Sequence, residues 1–189
     1  YSSPMVLELG IGPLPCRVTA EGALFTVSEP LIKTAAPEPA LVAAALGLHV
    51  DTIRTETHAP IQAGLGLPFV MVELDNRACL AACSPNIDII REGAARYPSG
   101  LDFAAFAYVR RGDEITSRMF APLDNIPEDP VTGSIHCALV PYWSAKLNKQ
   151  KINAAQLSEN GGELFCENNG DRVLISGYAA KYLEGKIFI

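Results

Sequence analysis

The sequence predicts an α+β fold, mostly antiparallel, in which a curved sheet wraps a central helix. Three observations lead there. Strand-like segments separated by short turns crowd both ends of the chain. The stretch "HCALVPYW" (136–143) is apolar on nearly every face, so a helix there has to be buried all round rather than laid on one side of a sheet. With 49% hydrophobic and only 19% charged residues, the chain has enough apolar mass to build such a core and is not of the disordered kind.

The elements follow in order. "MVLELG" (5–10), "PCRVTAEG" (15–22) and "ALFTVSE" (23–29) read as an antiparallel meander with turns at Gly10–Pro13 and Glu21–Gly22. "PEPALVAAALGL" (37–48) is a helix, with prolines at its entrance and Gly47 near its end. "PFVMVEL" (68–74) is a strand; "NRACLAAC" and "NIDIIREGAARY" are helices divided at Ser84–Pro85. "DFAAFAYVR" (102–110) and "EITSRMF" (114–120) form a hairpin over Arg111–Gly112–Asp113. A loop (121–133) leads into the apolar helix 134–147, where Pro141 should produce a kink. The chain closes in strands, "AAQLSE", "GELFCEN", "DRVLISG" and "KYLEGKIFI".

Charge excludes some partners. The net charge of −6, from 15 basic and 21 acidic residues, comes without a basic patch, so nucleic acid and an anionic membrane surface are not expected partners. Apolar runs are too short and broken to span a bilayer, and no signal peptide is visible. The five cysteines (Cys16, Cys79, Cys83, Cys137, Cys166) are scattered and odd in number. They read as reduced core thiols of a cytoplasmic protein, not as a disulfide framework or a zinc site, which would need three or four ligands at recognisable spacing. No metal is expected.

The segment with chemical content is "EDPVTGSIHC" (128–137). Asp129, Thr132 and Ser134 are all capping types, placed before the apolar run. On its own residues the segment reads first as a well-capped structural helix. The same grammar leaves backbone N–H groups unpaired at the positive end of a helix dipole, a ready place for a carboxylate or phosphate. His136, one turn inside the helix, reads as packed or hydrogen-bonded. His49 and His58 lie near loops and carry no motif, and Arg54 and Arg77 read as solvated surface.

"SRMFAPLDNIPEDPVTGSIHCALVPYWSAKL" resembles the signature of the PhzF-like phenazine biosynthesis family: an aromatic-Ala-Pro, then Glu-Asp-Pro-x-Thr-Gly-Ser, then a helix ending in Tyr-Trp. "GLPFVMVEL" (66–74) resembles the family's Gly-Leu-Pro strand and "VLISGYAA" (173–180) its closing strand. "NGGEL" (160–164) resembles its Arg-Gly-Gly turn, with Asn160 in place of the arginine. The likeness runs in order over essentially the whole chain.

That resemblance implies a diaminopimelate epimerase-like fold: two similar lobes, each a sheet around a central helix, with the active site in the cleft between them. Residues 1–30 would be the tail of the first lobe, 31–177 the second lobe around the helix 134–147, and 178–189 a strand returning to the first lobe. The best-known member moves a proton on trans-2,3-dihydro-3-hydroxyanthranilate without cofactor or metal, so no cofactor is implied here. Asp129 matches the family's active-site aspartate and Ser134 its substrate-contacting serine. Thr132 and Gly133 match the turn whose N–H groups hold the substrate carboxylate. Cysteine-based racemases share the fold, but here Asp129 stands where their thiol would be.

The family's catalytic glutamate and Gly-His pair sit in the first lobe, and this sequence has neither a Gly-Asn-Pro nor a Cys-Gly-His-Ala-Thr segment. The chain opens on Tyr1 with no initiator methionine. It is therefore expected to be part of a longer protein, or to work with a first-lobe polypeptide or as a homo-oligomer. The function implied is a cofactor-independent isomerase or epimerase acting on a small carboxylate-bearing substrate. The alternative is a truncated, non-catalytic PhzF-like binding or scaffolding protein.

Overall fold

Strands β6 (Phe69–Glu73) and β7 (Ala105–Arg111) lie at the middle of the fold, and their sequence says why. "FVMVE" and "AFAYV" are nearly continuous apolar runs, the pattern of strands covered on both faces. Phe69, Met71, Phe106 and Tyr108 join one buried cluster, while Val70, Val72, Ala105, Ala107 and Val109 join a second on the opposite face. The computed structural model describes residues 5–9, 12–18, 23–27, 31–65, 67–99, 102–170, 172–180 and 182–186.

Around these two strands the other named strands are β1 (Met5–Leu9), β2 (Gly12–Val18), β3 (Ala23–Val27), β4 (Leu31–Ala35) and β5 (Ile61–Leu65) before them. After them come β8 (Glu114–Phe120), β9 (Lys151–Gln156), β10 (Gly162–Asn168) and β11 (Val173–Gly177). They form one sheet in the order β1-β2-β3-β11-β10-β9-β8-β7-β6-β5-β4. Pairing is antiparallel except for β6 with β7 and β8 with β9, which are parallel. Parallel neighbours need a long crossover. Helices α2 (Arg77–Ala81) and α3 (Ile87–Arg96) make the first crossover and α4 (Gly133–Leu147) the second.

The two clusters divide the helices. Helices α1 (Pro39–Ala45), α2 and α3 supply Leu41, Val42, Leu80 and Ile90 to one face of the sheet. Helix α4 supplies Ile135, Leu139, Val140 and Trp143 to the other, where Ala63 of β5, Ile115 of β8, Ile152 of β9, Leu164 of β10 and Ile175 of β11 meet it. Seven adjacent strands, β5 to β11, thus contribute to a single cluster built on α4. Laid flat at about 4.8 Å apart they would span roughly 29 Å, while a helix is about 10–12 Å wide. The sheet has to curve about α4 for all seven to reach it. No helix is long and apolar enough to cross a membrane among the described residues.

Local signals set the helix ends. Asn76 Oδ1 accepts from the N–H groups of Ala78 and Cys79 at 2.9 and 3.0 Å, and Asn86 caps α3 in the same way. Gly47 closes α1 at φ +68°, where a Cβ would also meet the Ser84 carbonyl. Asn148 ends α4 in the left-handed region, and Pro141 inside α4 removes one N–H from its ladder.

Several expectations shift. Strands β4 and β5 stand where none was expected, the first of them on a sheet edge. The strand expected at 154–159 lies at Lys151–Gln156. The strand expected from 102 begins at Ala105, because Phe103 adopts φ 57°. Residues 178–180 and 182–186 carry no strand, although a closing strand was expected there, and 187–189 lie outside the described residues. The expected turns at Gly10–Pro13 and Glu21–Gly22 fall largely or wholly outside them too.

Phe103, fully buried, turns its ring onto the back of α3 at Gly93, where an added Cβ would fall inside the ring's contact distance. Two effects compete in Gly93→Ala. Helix propensity favours alanine by about 1 kcal/mol, whereas overpacking a buried ring costs about 1–3 kcal/mol. Packing should win, so Gly93→Ala is expected to lower the unfolding free energy measured by urea titration, and a more stable variant would contradict this packing.

Candidate functional site

The end of β8 and the loop that follows it build the site. The loop is pinched at its start, where Ala121 and Ile126 exchange backbone hydrogen bonds of 2.9 and 3.1 Å. It then doubles back along β8, with Asp129 N–H donating to the Met119 carbonyl at 3.0 Å. Arg118 of β8 fixes this return. Its Nε and Nη2 donate to the two oxygens of Glu128 at 2.7 and 2.9 Å, a bidentate pair. Its Nη1 donates to the carbonyls of Leu80, Ala81 and Cys83 at 3.3, 3.2 and 3.1 Å. One guanidinium, lying over the Phe120 ring, so ties the loop to the end of α2.

The other side of the loop is held from β9 and the turn after it. Gln156, 1% exposed, donates from Nε2 to the Asp129 carbonyl at 2.5 Å and to Thr132 Oγ1 at 3.2 Å. Its Oε1 accepts from Thr132 N–H at 3.0 Å. Ser158 Oγ donates to the Pro130 carbonyl at 2.9 Å. Gly162 leaves space that a Cβ would take from the Val131 side chain.

Between these clamps sit the four expected site residues. Asp129 is half-buried, and its Oδ2 accepts from Thr132 Oγ1 at 2.5 Å. Thr132 is the N-cap of α4 by position but not by side chain, since its hydroxyl is turned to Asp129. The expectation that Thr132 N–H faces a ligand is corrected here, because Gln156 occupies it. Thr132 stays in the site through its hydroxyl. Gly133 and Ser134 open α4 without a side-chain cap, and Ser134 is exposed. The first turn of a helix then presents N–H groups and positive potential at the surface, next to a carboxylate.

His136 secures the same threonine from within the helix. Its Nδ1 lies 2.6 Å from the Thr132 carbonyl, an acceptor, so Nδ1 carries the proton and Nε2 is bare. Nε2 is buried without a hydrogen-bond partner, and the ring meets Phe106 edge-on. Burial pulls the imidazole down to about 4, so it is neutral at physiological pH. Two buried thiols are no better placed as acids or bases. Burial pushes Cys83 up to about 11 and Cys166 up to about 12.

A cavity of about 720 Å³ opens beside the start of α4, bounded by Val131, Gly133, Asn160, Gly162, Ile175 and Tyr178 among others. Of the four expected residues Gly133 alone is in its wall, so Asp129 and Ser134 lie beside the cavity rather than within it. Asn160, expected at a Gly-Gly turn, is in the wall.

Sequence reasoning missed Gln156, Arg118 and Glu128. The first had a signal: in "KINAAQ" the alternation puts Ile152, Ala154 and Gln156 on one face, so a polar side chain points into the core. His58, also passed over, bonds Tyr108 OH through Nε2 at 2.5 Å beneath the far end of α4.

A family model described as phenazine biosynthesis-like protein matches residues 2–185. An uncharacterized isomerase of Pseudomonas aeruginosa is 38% identical over 138 residues, covering 67% of this chain and 50% of that protein. A phenazine biosynthesis-like domain-containing protein of Bos taurus is 50% identical over 72 residues, 38% of this chain and 25% of that protein. Among solved structures, a phenazine biosynthesis PhzC/PhzF protein from Clostridium difficile superposes with a TM-score of 0.72 at 26% identity, over 100% of this chain and 66% of that chain. The chain spans about half the length of the first two isomerases it matches or less.

The neutral His136 gives a pH test. An imidazole near 4 when folded and 6.5 when unfolded binds its proton preferentially in the unfolded chain between those values. The stability it confers is present above about 6.5 and is lost as pH falls toward 4, on the order of 3 kcal/mol in all. Urea unfolding at pH 7 and pH 4.5 should show a steep loss in the wild type and a shallower one in His136→Gln. Equal slopes would contradict the buried, neutral histidine.

Proposed function

The chain belongs to the phenazine biosynthesis-like (PhzC/PhzF) family, and on that premise we propose that it supplies one wall of a cofactor-independent isomerase or epimerase. The observation that carries this reading is Asp129, a half-buried carboxylate clamped from both sides at the uncapped start of α4. The substrate is a small molecule bearing a carboxylate. Gly133 and Ser134 N–H groups, with the Ser134 hydroxyl, hold that carboxylate by charge-assisted hydrogen bonds. Asp129 takes or gives the proton that moves along the carbon skeleton.

In the scheme proposed here a second acid–base group works opposite Asp129. Glu128, the adjacent carboxylate, is tied to Arg118. We assign the second group to a glutamate of a first-lobe polypeptide, carried on the rest of a longer chain, on a separate chain or on another copy. It would close over the cavity beside Val131, Asn160 and Tyr178. Tyr178, Tyr182 and Leu183, exposed at 71%, 100% and 82%, are the apolar surface such a lobe would cover. In this reading 1–30 is the tail of the first lobe, 31–177 the second lobe and 178–189 the return. The likeness to an uncharacterized isomerase of Pseudomonas aeruginosa supports the reaction class, and a cytoplasmic protein with reduced thiols suits it.

The test is proton exchange. A panel of small carboxylates in deuterium oxide, followed by proton NMR, reports isomerisation as deuterium uptake. The chain mixed with a first-lobe polypeptide is expected to turn over one of them and the chain alone none. Asp129→Asn keeps the size and loses the titrating proton, so it should lower the rate at least about 10²-fold. Thiol alkylation should leave it intact. Full turnover by the Asn variant would contradict the role of Asp129. Full turnover by a monomer of the chain alone would contradict the two-carboxylate scheme, and none in any pairing would favour a non-catalytic binding protein.

A further inference from the structure

Gln156 bonds to two backbone groups whose polarity cannot change. The Asp129 carbonyl can only accept and Thr132 N–H can only donate. The amide nitrogen therefore lies at the Asp129 carbonyl, 2.5 Å away, and the amide oxygen at Thr132 N–H, 3.0 Å away. A flipped amide would set acceptor against acceptor at one end and donor against donor at the other. With the side chain 1% exposed, water cannot make good either loss.

The fixed amide then dictates what Thr132 does. The second contact of Nε2 is Thr132 Oγ1 at 3.2 Å, where the hydroxyl must accept. A hydroxyl has one proton, and the Thr132 proton points to the oxygen 2.5 Å away on its other side, Asp129 Oδ2. The Thr132 carbonyl is engaged by His136, so the residue is held at N, O and Oγ1 at once. With Asp129 ionised, Oδ2 is consequently the acceptor of the Thr132 proton, which lowers its basicity relative to Oδ1. A proton that Asp129 receives is therefore favoured at Oδ1.

We propose that Gln156 is a positioning residue that sets the direction of a hydrogen-bond relay through Thr132, and that Asp129 Oδ1 is therefore the oxygen that exchanges the proton with the substrate. This rests on the reading of Asp129 as the acid–base group of the site. The step moves one proton between substrate carbon and Oδ1, and the transfer at the other carbon falls to the first-lobe group. Oδ2 stays bonded throughout, so the carboxylate cannot rotate and present either oxygen. That restraint is the kind of orientation that separates productive from unproductive proton transfer.

The test is NMR of the isotopically labelled chain. The wild type should show a slowly exchanging Thr132 hydroxyl proton close to the Gln156 side-chain amide. Gln156→Leu, which removes donor and acceptor together, should lose it while the rest of the spectrum persists. The same hydroxyl signal in a folded Gln156→Leu chain, or none in the wild type, overturns the relay. If Gln156→Leu fails to fold, Thr132→Val decides, being isosteric and leaving the glutamine bonded at both ends. It should lower kcat for deuterium uptake about tenfold or more with KM little changed, and an unchanged kcat overturns the proposal. Where both variants fold, the double variant should be no slower than the slower single one, because both break one relay; additive losses overturn it. Failure of the underlying reading looks different. Asp129→Asn would then retain full turnover while the Thr132 hydroxyl signal stood in the wild type.

Discussion

A helix that is apolar on every face has to be covered on every side. That constraint on α4 organises the fold. Ile135, Leu139, Val140 and Trp143 are buried to within 2%, and no single flat layer could do this. Seven strands bend around the helix, and the two parallel pairings arise where the chain runs back over one face of the sheet, through α2 and α3 in one case and through α4 in the other. Because α4 is buried through most of Ile135–Ser144, its start is where the positive end of its dipole and its first N–H groups meet other molecules. The loop that delivers this start is therefore where chemistry can be placed.

Placing chemistry there requires a rigid loop, and rigidity comes from two clamps of different kinds. Arg118 works by charge, with a bidentate carboxylate and three carbonyls on one planar group. Hydrogen bonds to charged groups contribute about 1.5–3 kcal/mol each, less when partly exposed as here. Gln156 works by geometry, since a buried neutral amide has little net worth but a high cost if left unpaired. The first holds the loop against the sheet. The second sets the spacing between the Asp129 carboxylate and the first turn of α4, and so reaches from packing to function.

Much of this was legible in the chain, for reasons that differ by element. Strand β8 and strand β10 carry their own alternation and turn signals, and they stand where the sequence placed them. Helix α4 begins one residue earlier than expected, at Gly133. Strands β4 and β5 were not legible, because "LIKTA" and "IQAGL" are short and mixed and become strands by pairing with neighbours. Thr132 shows the limit of local grammar. As a capping residue it should bond its own helix, but a tertiary partner 24 residues on, Gln156, takes its N–H and turns its hydroxyl to Asp129. The Gly-Gly turn after Asn160 was visible in sequence, and the structure places it in the cavity wall.

The central claim is that the start of α4, beside a fixed Asp129, receives a small carboxylate through Gly133 and Ser134. Titrating benzoate into the nitrogen-15-labelled chain and following the backbone amides tests this most directly. Saturable shifts are expected at the Gly133 and Ser134 amides, with the Thr132 amide, already bonded to Gln156, moving little. Shifts centred on Thr132, or saturable binding elsewhere with Gly133 and Ser134 unmoved, would contradict it.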